Sequence, residues 1–167
     1  MIMELIPTPS QTIGPFFHLC LTPQTDLGSL KGERIRLVCR ILDGDGAPVN
    51  DAMIEIWQAD AAGEYGRFGR LCTNEDGVSV FDTVKPGRVE LQAPHVNVQI
   101  FARGLLKQLF TRIYFDGESS NRSDPVLALV PEDRRGTLMA RPDTEDSSVW
   151  KFEIRLCADC ETVFFDV

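Results

Sequence analysis

Apolar and polar residues alternate along most of this chain, with a period of two. In 34–42, Ile35, Leu37, Cys39 and Ile41 interleave with Arg34, Arg36 and Arg40. Successive strand side chains point to opposite faces, so this spacing predicts a half-buried strand. Asp43-Gly44-Asp45-Gly46 then reads as a reversal, because Gly and Asp tolerate the positive φ of tight turns. Ala52 to Gln58 follows as a second strand, with Ile54 and Ile56 on one face. Further strands are predicted over 78–84, 96–102, 109–115, 149–157 and 162–166, each bounded by Gly, Asp, Asn or Pro. The helix signals are weaker. Asp124 suits a cap, Pro125 the first helical position and Pro131 a stop, so Val126 to Val130 reads as about two turns. Thr144 to Ser148 reads as a flexible polar loop. Regular short strands with minor helical turns predict an all-β fold, a β-sandwich of about eight strands.

Length and composition narrow this further. The 167 residues, 43% of them hydrophobic, suit one domain over 1–167, and no linker or repeat divides the chain. A net charge of −8 argues against nucleic acid, whose binders cluster Lys and Arg to displace counterions. No apolar run approaches the roughly 20 residues of a membrane span, and the first residues lack a basic leader, so a cytoplasmic location is expected. The five cysteines are an odd, scattered set, which favours a reducing compartment. Cys157 and Cys160 have ligand-like spacing, but no second pair accompanies them. They read as flanking a hairpin turn rather than holding zinc.

Candidate chemistry starts from a short inventory. The chain has two histidines, His18 and His95, and two tyrosines, Tyr65 and Tyr114. A His-x-His pair on a strand aims both rings from one face. Here His95-Val96-Asn97 carries the spacing with a neutral amide in second place, a poor ligand for ferric iron. Read alone, His95 is a hydrogen-bonded structural histidine and Arg103 a solvated surface charge. There is no G-x-S-x-G elbow for a serine nucleophile. Gly63, Gly66 and Gly69 precede no Lys-Ser/Thr pair, and they read as a glycine-rich surface loop rather than a phosphate cradle.

The segment Ile54-Glu55-Ile56-Trp57-Gln58-Ala59-Asp60, followed by Tyr65, resembles the signature of the intradiol ring-cleavage dioxygenases, and the likeness runs on through Thr83-Val84-Lys85-Pro86-Gly87 to the His95 strand. In detail the chain is similar to the alpha-chain branch of that family. The matches are Thr8 to Phe16, Phe101-Ala102-Arg103-Gly104, Arg112-Ile113-Tyr114-Phe115, Arg134 to Leu138, and Glu161 to Asp166. That resemblance implies a beta chain of the same fold as partner, holding Fe(3+) with two Tyr and two His. It also implies a reaction in which O2 opens protocatechuate between its hydroxyl-bearing carbons to give 3-carboxy-cis,cis-muconate.

Carried onto this chain, the resemblance puts Tyr65 and His95 at two ligand positions and Asn97 at a third. The segment 87–93 is too short to supply the fourth, and Gln92 stands where beta chains carry an arginine. Tyr65, His95 and Asn97 are therefore vestigial metal-site positions, with no metal bound by this chain and no catalytic residue of its own. What it implies instead is a wall of the partner's pocket, made of Thr12, Gly14, Pro15, Phe16 and Arg103. The N-terminal arm, 1–33, would pack on the partner. Phe16 departs from the tyrosine common at its position, keeping an aromatic ring without the hydroxyl. Two alternatives stand beside this reading: a self-sufficient homomeric dioxygenase built from His18, His95, Tyr65 and Tyr114, and a non-catalytic binding module.

Overall fold

A computed structural model describes residues 7–27 and 31–167. Nine strands form one sheet: β1 (Gln24–Thr25), β2 (Arg34–Leu42), β3 (Ala52–Ala59), β4 (Tyr65–Cys72), β5 (Val78–Val84), β6 (His95–Ala102), β7 (Leu109–Phe115), β8 (Met139–Pro142) and β9 (Val149–Arg155). Their order is β1-β4-β3-β6-β7-β8-β9-β2-β5. The short β8 is the fold line. It runs parallel to β7 and antiparallel to β9, and so joins a first leaf, β1-β4-β3-β6-β7, to a second, β9-β2-β5. Ile35, Leu37, Cys39 and Ile41 of β2 meet Ile54 and Ile56 of β3, Val96, Val98 and Ile100 of β6, and Phe152 and Ile154 of β9 in one core between the leaves. The expected sandwich is therefore present, with nine strands in place of about eight.

Six of the expected strands lie where the alternation put them, to within two residues at either end. The turn after β2 is closed by Asp43, whose Oδ1 accepts from the Asp45 and Ala47 amides at 3.0 and 2.8 Å. Other expectations need correction. Gly66 and Gly69 do not lie in a surface loop; they belong to β4. A side chain at Gly69 would bring its Cβ to 2.7 Å from Leu27 and 3.2 Å from Phe81, so glycine there is a packing requirement of a strand. Segment 162–166 forms no strand. It makes one bridge, between Phe165 and Phe110, and is tied down by the Thr111 hydroxyl donating to the Val163 carbonyl at 2.8 Å. The two-turn helix shrinks to a single 3-10 turn, Leu127–Leu129. Its cap is as expected, with Asp124 Oδ1 accepting from the Val126 and Leu127 amides at 2.9 and 2.7 Å. Loop 144–148 is organised by carboxylates: Asp143 accepts from the Glu145 amide and Asp146 from the Ser148 amide, both at 2.9 Å. The four-residue helix α1 (Phe17–Cys20) lies within the arm and buries Phe17. Of the expected arm 1–33, residues 1–6 and 28–30 lie outside the described residues.

Candidate active-site wall and vestigial metal site

Strand β6 positions both candidate regions. Val96, Val98 and Ile100 face the core, so His95, Asn97, Gln99 and Phe101 take the opposite face. On that face the register aligns Phe68, Trp57, Asn97 and Arg112 in one row across β4, β3, β6 and β7. His95 pairs with Tyr114 one row away. A second small core of Ala93, Tyr114, Leu127, Val130 and Leu138 covers that end, which is why His95 and Tyr114 are buried.

The polar groups sealed there satisfy one another. Asp124, fully buried, accepts from four donors: the Ala93 amide at 2.7 Å, the Tyr114 hydroxyl at 3.0 Å, and the Val126 and Leu127 amides already described. His95 Nδ1 lies 2.8 Å from the Ala93 carbonyl. Arg112 donates to Gln92 at 2.7 Å. Burial lowers the affinity of His95 for a proton, and the neighbouring Arg112 charge works the same way, against the Ala93 carbonyl and the Asp124 charge. The imidazole is held neutral. Burial also pushes the Tyr114 phenol up to about 12, so it remains a donor to Asp124 rather than an anionic ligand.

The other end of β6 meets the arm. Thr12 accepts from the Gly104 amide at 2.9 Å and donates to the Ala102 carbonyl at 3.3 Å, which pins the arm to the turn after β6. Arg103, on that turn, pairs through Nε with Asp51, just before β3. Gly14 has open space around it, Pro15 is exposed, and Phe16 is 70% exposed. All five expected wall residues are thus exposed, and Thr12 is brought to the turn that carries Arg103.

The four residues required by a self-sufficient site are not brought together. His18 is exposed on α1. That helix leads to Leu21, which lies beside Met53 and Phe101 at the far end of β6 from His95. Six residues of strand separate Phe101 from His95, about 20 Å at the usual rise. Tyr65 opens β4 opposite Ala59, beside a bulge in β3, and its side chain lies outside the described residues. Cys157 and Cys160 are exposed and flank a chain reversal closed by the Thr162 amide on the Arg155 carbonyl at 3.0 Å. The roles of three residues were not legible in the sequence: Asp124 stood out only as a cap, Arg112 only as part of a family match, and nothing local marked Asp51.

Residues 18–158 match the family model described as Dioxygenase. The chain is 43% identical to the protocatechuate 3,4-dioxygenase alpha chain of Burkholderia cepacia, covering 96% of this chain and 97% of that one. It is 40% identical to the alpha chain of Pseudomonas putida, covering 99% and 100%. This chain belongs to the intradiol ring-cleavage dioxygenases, on their alpha-chain branch. The protocatechuate 3,4-dioxygenase beta chain of Burkholderia cepacia is more distant, at 29% identity over 79% of this chain and 66% of that one. Among solved structures, the dioxygenase domain of a carbohydrate-binding fusion from Streptomyces sp. SirexAA-E superposes with a TM-score of 0.68 at 25% identity, covering 95% of this chain and all of that one.

Intradiol dioxygenases are iron enzymes, but the donor set among the described residues does not fit a ferric ion. Asn97 offers a neutral amide, the guanidinium of Arg112 stands opposite it in register, and His95 is locked to a carbonyl inside a closed network. A fixed cation beside the position repels a second, more highly charged one. The cleft of about 570 Å3 on this row, lined by Trp57, Asn97, Phe110, Arg112, Val126 and Phe165, is an aromatic hollow with one guanidinium.

Proposed function

We propose that this chain is the alpha subunit of a protocatechuate 3,4-dioxygenase, that it assembles with a beta chain of the same fold carrying the Fe(3+), and that it supplies a wall of the beta chain's pocket. The observation that carries the reading is the near-full-length likeness to protocatechuate 3,4-dioxygenase alpha chains; Asn97, at a position that the resemblance gives to an iron ligand, with Arg112 opposite it in register, supports it. In this reading the metal chemistry belongs to the partner; this chain's residues bind, orient and exclude water. Arg103 meets the ring carboxylate of protocatechuate, as a guanidinium suits a planar anion. Gly14 and Pro15 let backbone approach the aromatic ring closely, and Phe16 closes the side. Phe16, Leu19 and Leu106 are exposed, the kind of apolar surface that a partner covers.

The test has two arms. Purified alone from iron-supplemented cells, the chain is expected to be colourless and free of iron, and to turn over protocatechuate only with a beta chain. Removing residues 1–15, which stops short of the buried Phe17, is expected to lower turnover by the reconstituted pair. Stoichiometric iron with a tyrosinate absorption band in the isolated chain would overturn the proposal, as would full activity without the arm.

A further inference from the structure

The contact between Arg103 and Asp51 has no counterpart among the features that suggested the wall. Arg103 sits on the turn after β6, with Leu105 N–H closing on the Ala102 carbonyl at 3.2 Å and Gly104 in the left-handed region at φ 92°. An arginine side chain on such a turn is long and has many rotamers of similar energy. Two neighbours restrict it. Thr12 clasps the turn from the arm through the Ala102 carbonyl and the Gly104 amide. Asp51, from the loop entering β3, takes the Nε–H of the guanidinium. The hydrogen bond to Asp51 uses Nε, and the Arg103 side chain is 57% exposed, so its terminal nitrogens are within reach of a carboxylate from solvent, which a guanidinium grips with two parallel bonds.

We propose that Asp51 is a positioning residue for substrate recognition: it holds the Arg103 guanidinium sideways, so that its terminal nitrogens present to the carboxylate of the aromatic substrate at the edge where the arm is pinned. The inference rests on the proposed function, which places that carboxylate at Arg103. The alternative is an ion pair of no consequence. The side chains are 57% and 30% exposed, and pairs this open contribute little to folding. For that reason Asp51→Ala is expected to fold and assemble, leaving recognition as the property that changes.

The experiment uses the alpha–beta complex with protocatechuate and with catechol, which lacks the carboxylate. Asp51→Ala is expected to raise KM for protocatechuate about three- to fivefold, near the upper reach of an exposed ion pair. It should leave kcat unchanged and leave KM for catechol unchanged. Asp51→Glu, which keeps a carboxylate in reach, is expected to recover most of the loss. In an Arg103→Gln background Asp51→Ala is expected to add nothing. Equal shifts for both substrates would reveal a displaced arm and sink the inference. So would a lower KM for protocatechuate, which would make Asp51 a competitor of the substrate, or an effect that persists without Arg103. A wild-type complex that opens neither ring removes the proposed function and this inference together. One that opens both, with Asp51→Ala silent, removes the inference alone.

Discussion

The two ends of β6 carry the same kinds of residue to opposite purposes. At the His95 end the polar groups are buried or half-buried and answer one another: four donors converge on Asp124, His95 meets Ala93, and the half-buried Arg112 meets Gln92. At the Arg103 end the charged group is exposed and held only from the side, and apolar Phe16 and Leu106 stand in solvent. A closed polar network in a low-dielectric site rigidifies the fold and offers nothing to a ligand. Open donors and bare apolar surface cost stability unless something covers them. Under the proposed function, the His95 end serves as architecture and the working surface is the opposite end of the strand.

The contrast is broken most severely by Asp124→Ala. It leaves four donors unanswered in a buried site, and each such group costs about 1–3 kcal/mol, so a loss of at least about 3 kcal/mol is expected in denaturant unfolding. A loss below about 1 kcal/mol would mean that water replaces the carboxylate and the end is not closed. Gly69→Val tests the packing of β4 against Leu27 and Phe81 and should cost about 1–3 kcal/mol by overpacking. If it is neutral, β4 adjusts like the loop that its glycines suggest.

The pH response is smaller and its sign is fixed. His95 binds its proton less readily when folded than at its ordinary value of 6.5, so the unfolded chain takes up a proton that the folded chain refuses. Stability from this group is present above pH 6.5, and falls as the pH drops below it until the folded imidazole is itself protonated. Comparing unfolding free energies from pH 7 down to 5 should give a slope that His95→Asn flattens; an unchanged slope assigns it to other groups. The smallest effect is expected from Asn97→His. Restoring the second histidine is predicted to bring no ferric colour, because Arg112 still faces the site. An iron-dependent absorption band in that single variant would show that Asn97, not Arg112, is the barrier.

Much of this protein was legible in its sequence for a physical reason. A half-buried strand must alternate, and 34–42, 78–84 and 149–155 carry their burial in that alternation. The substitution of Asn97 in a His-x-His spacing was equally local, as were the Asp124 cap and the signature around Trp57. What the chain could not show locally depends on partners distant in sequence. Glycines in β4 read as a loop because the reason for Gly69 lies in Leu27 and Phe81. The four-residue β8 is too short to show a period, yet it turns the sheet over. Asp124 became a hub, Arg112 a guard over Asn97 and Asp51 a brace for Arg103 only once pairing had fixed the register. Sequence alone determined the strand character and the asparagine in the His-x-His spacing, since alternation and residue type are local properties. Tertiary structure decided which end of β6 closes and which stays open, because that depends on what the remainder of the chain lays over each end.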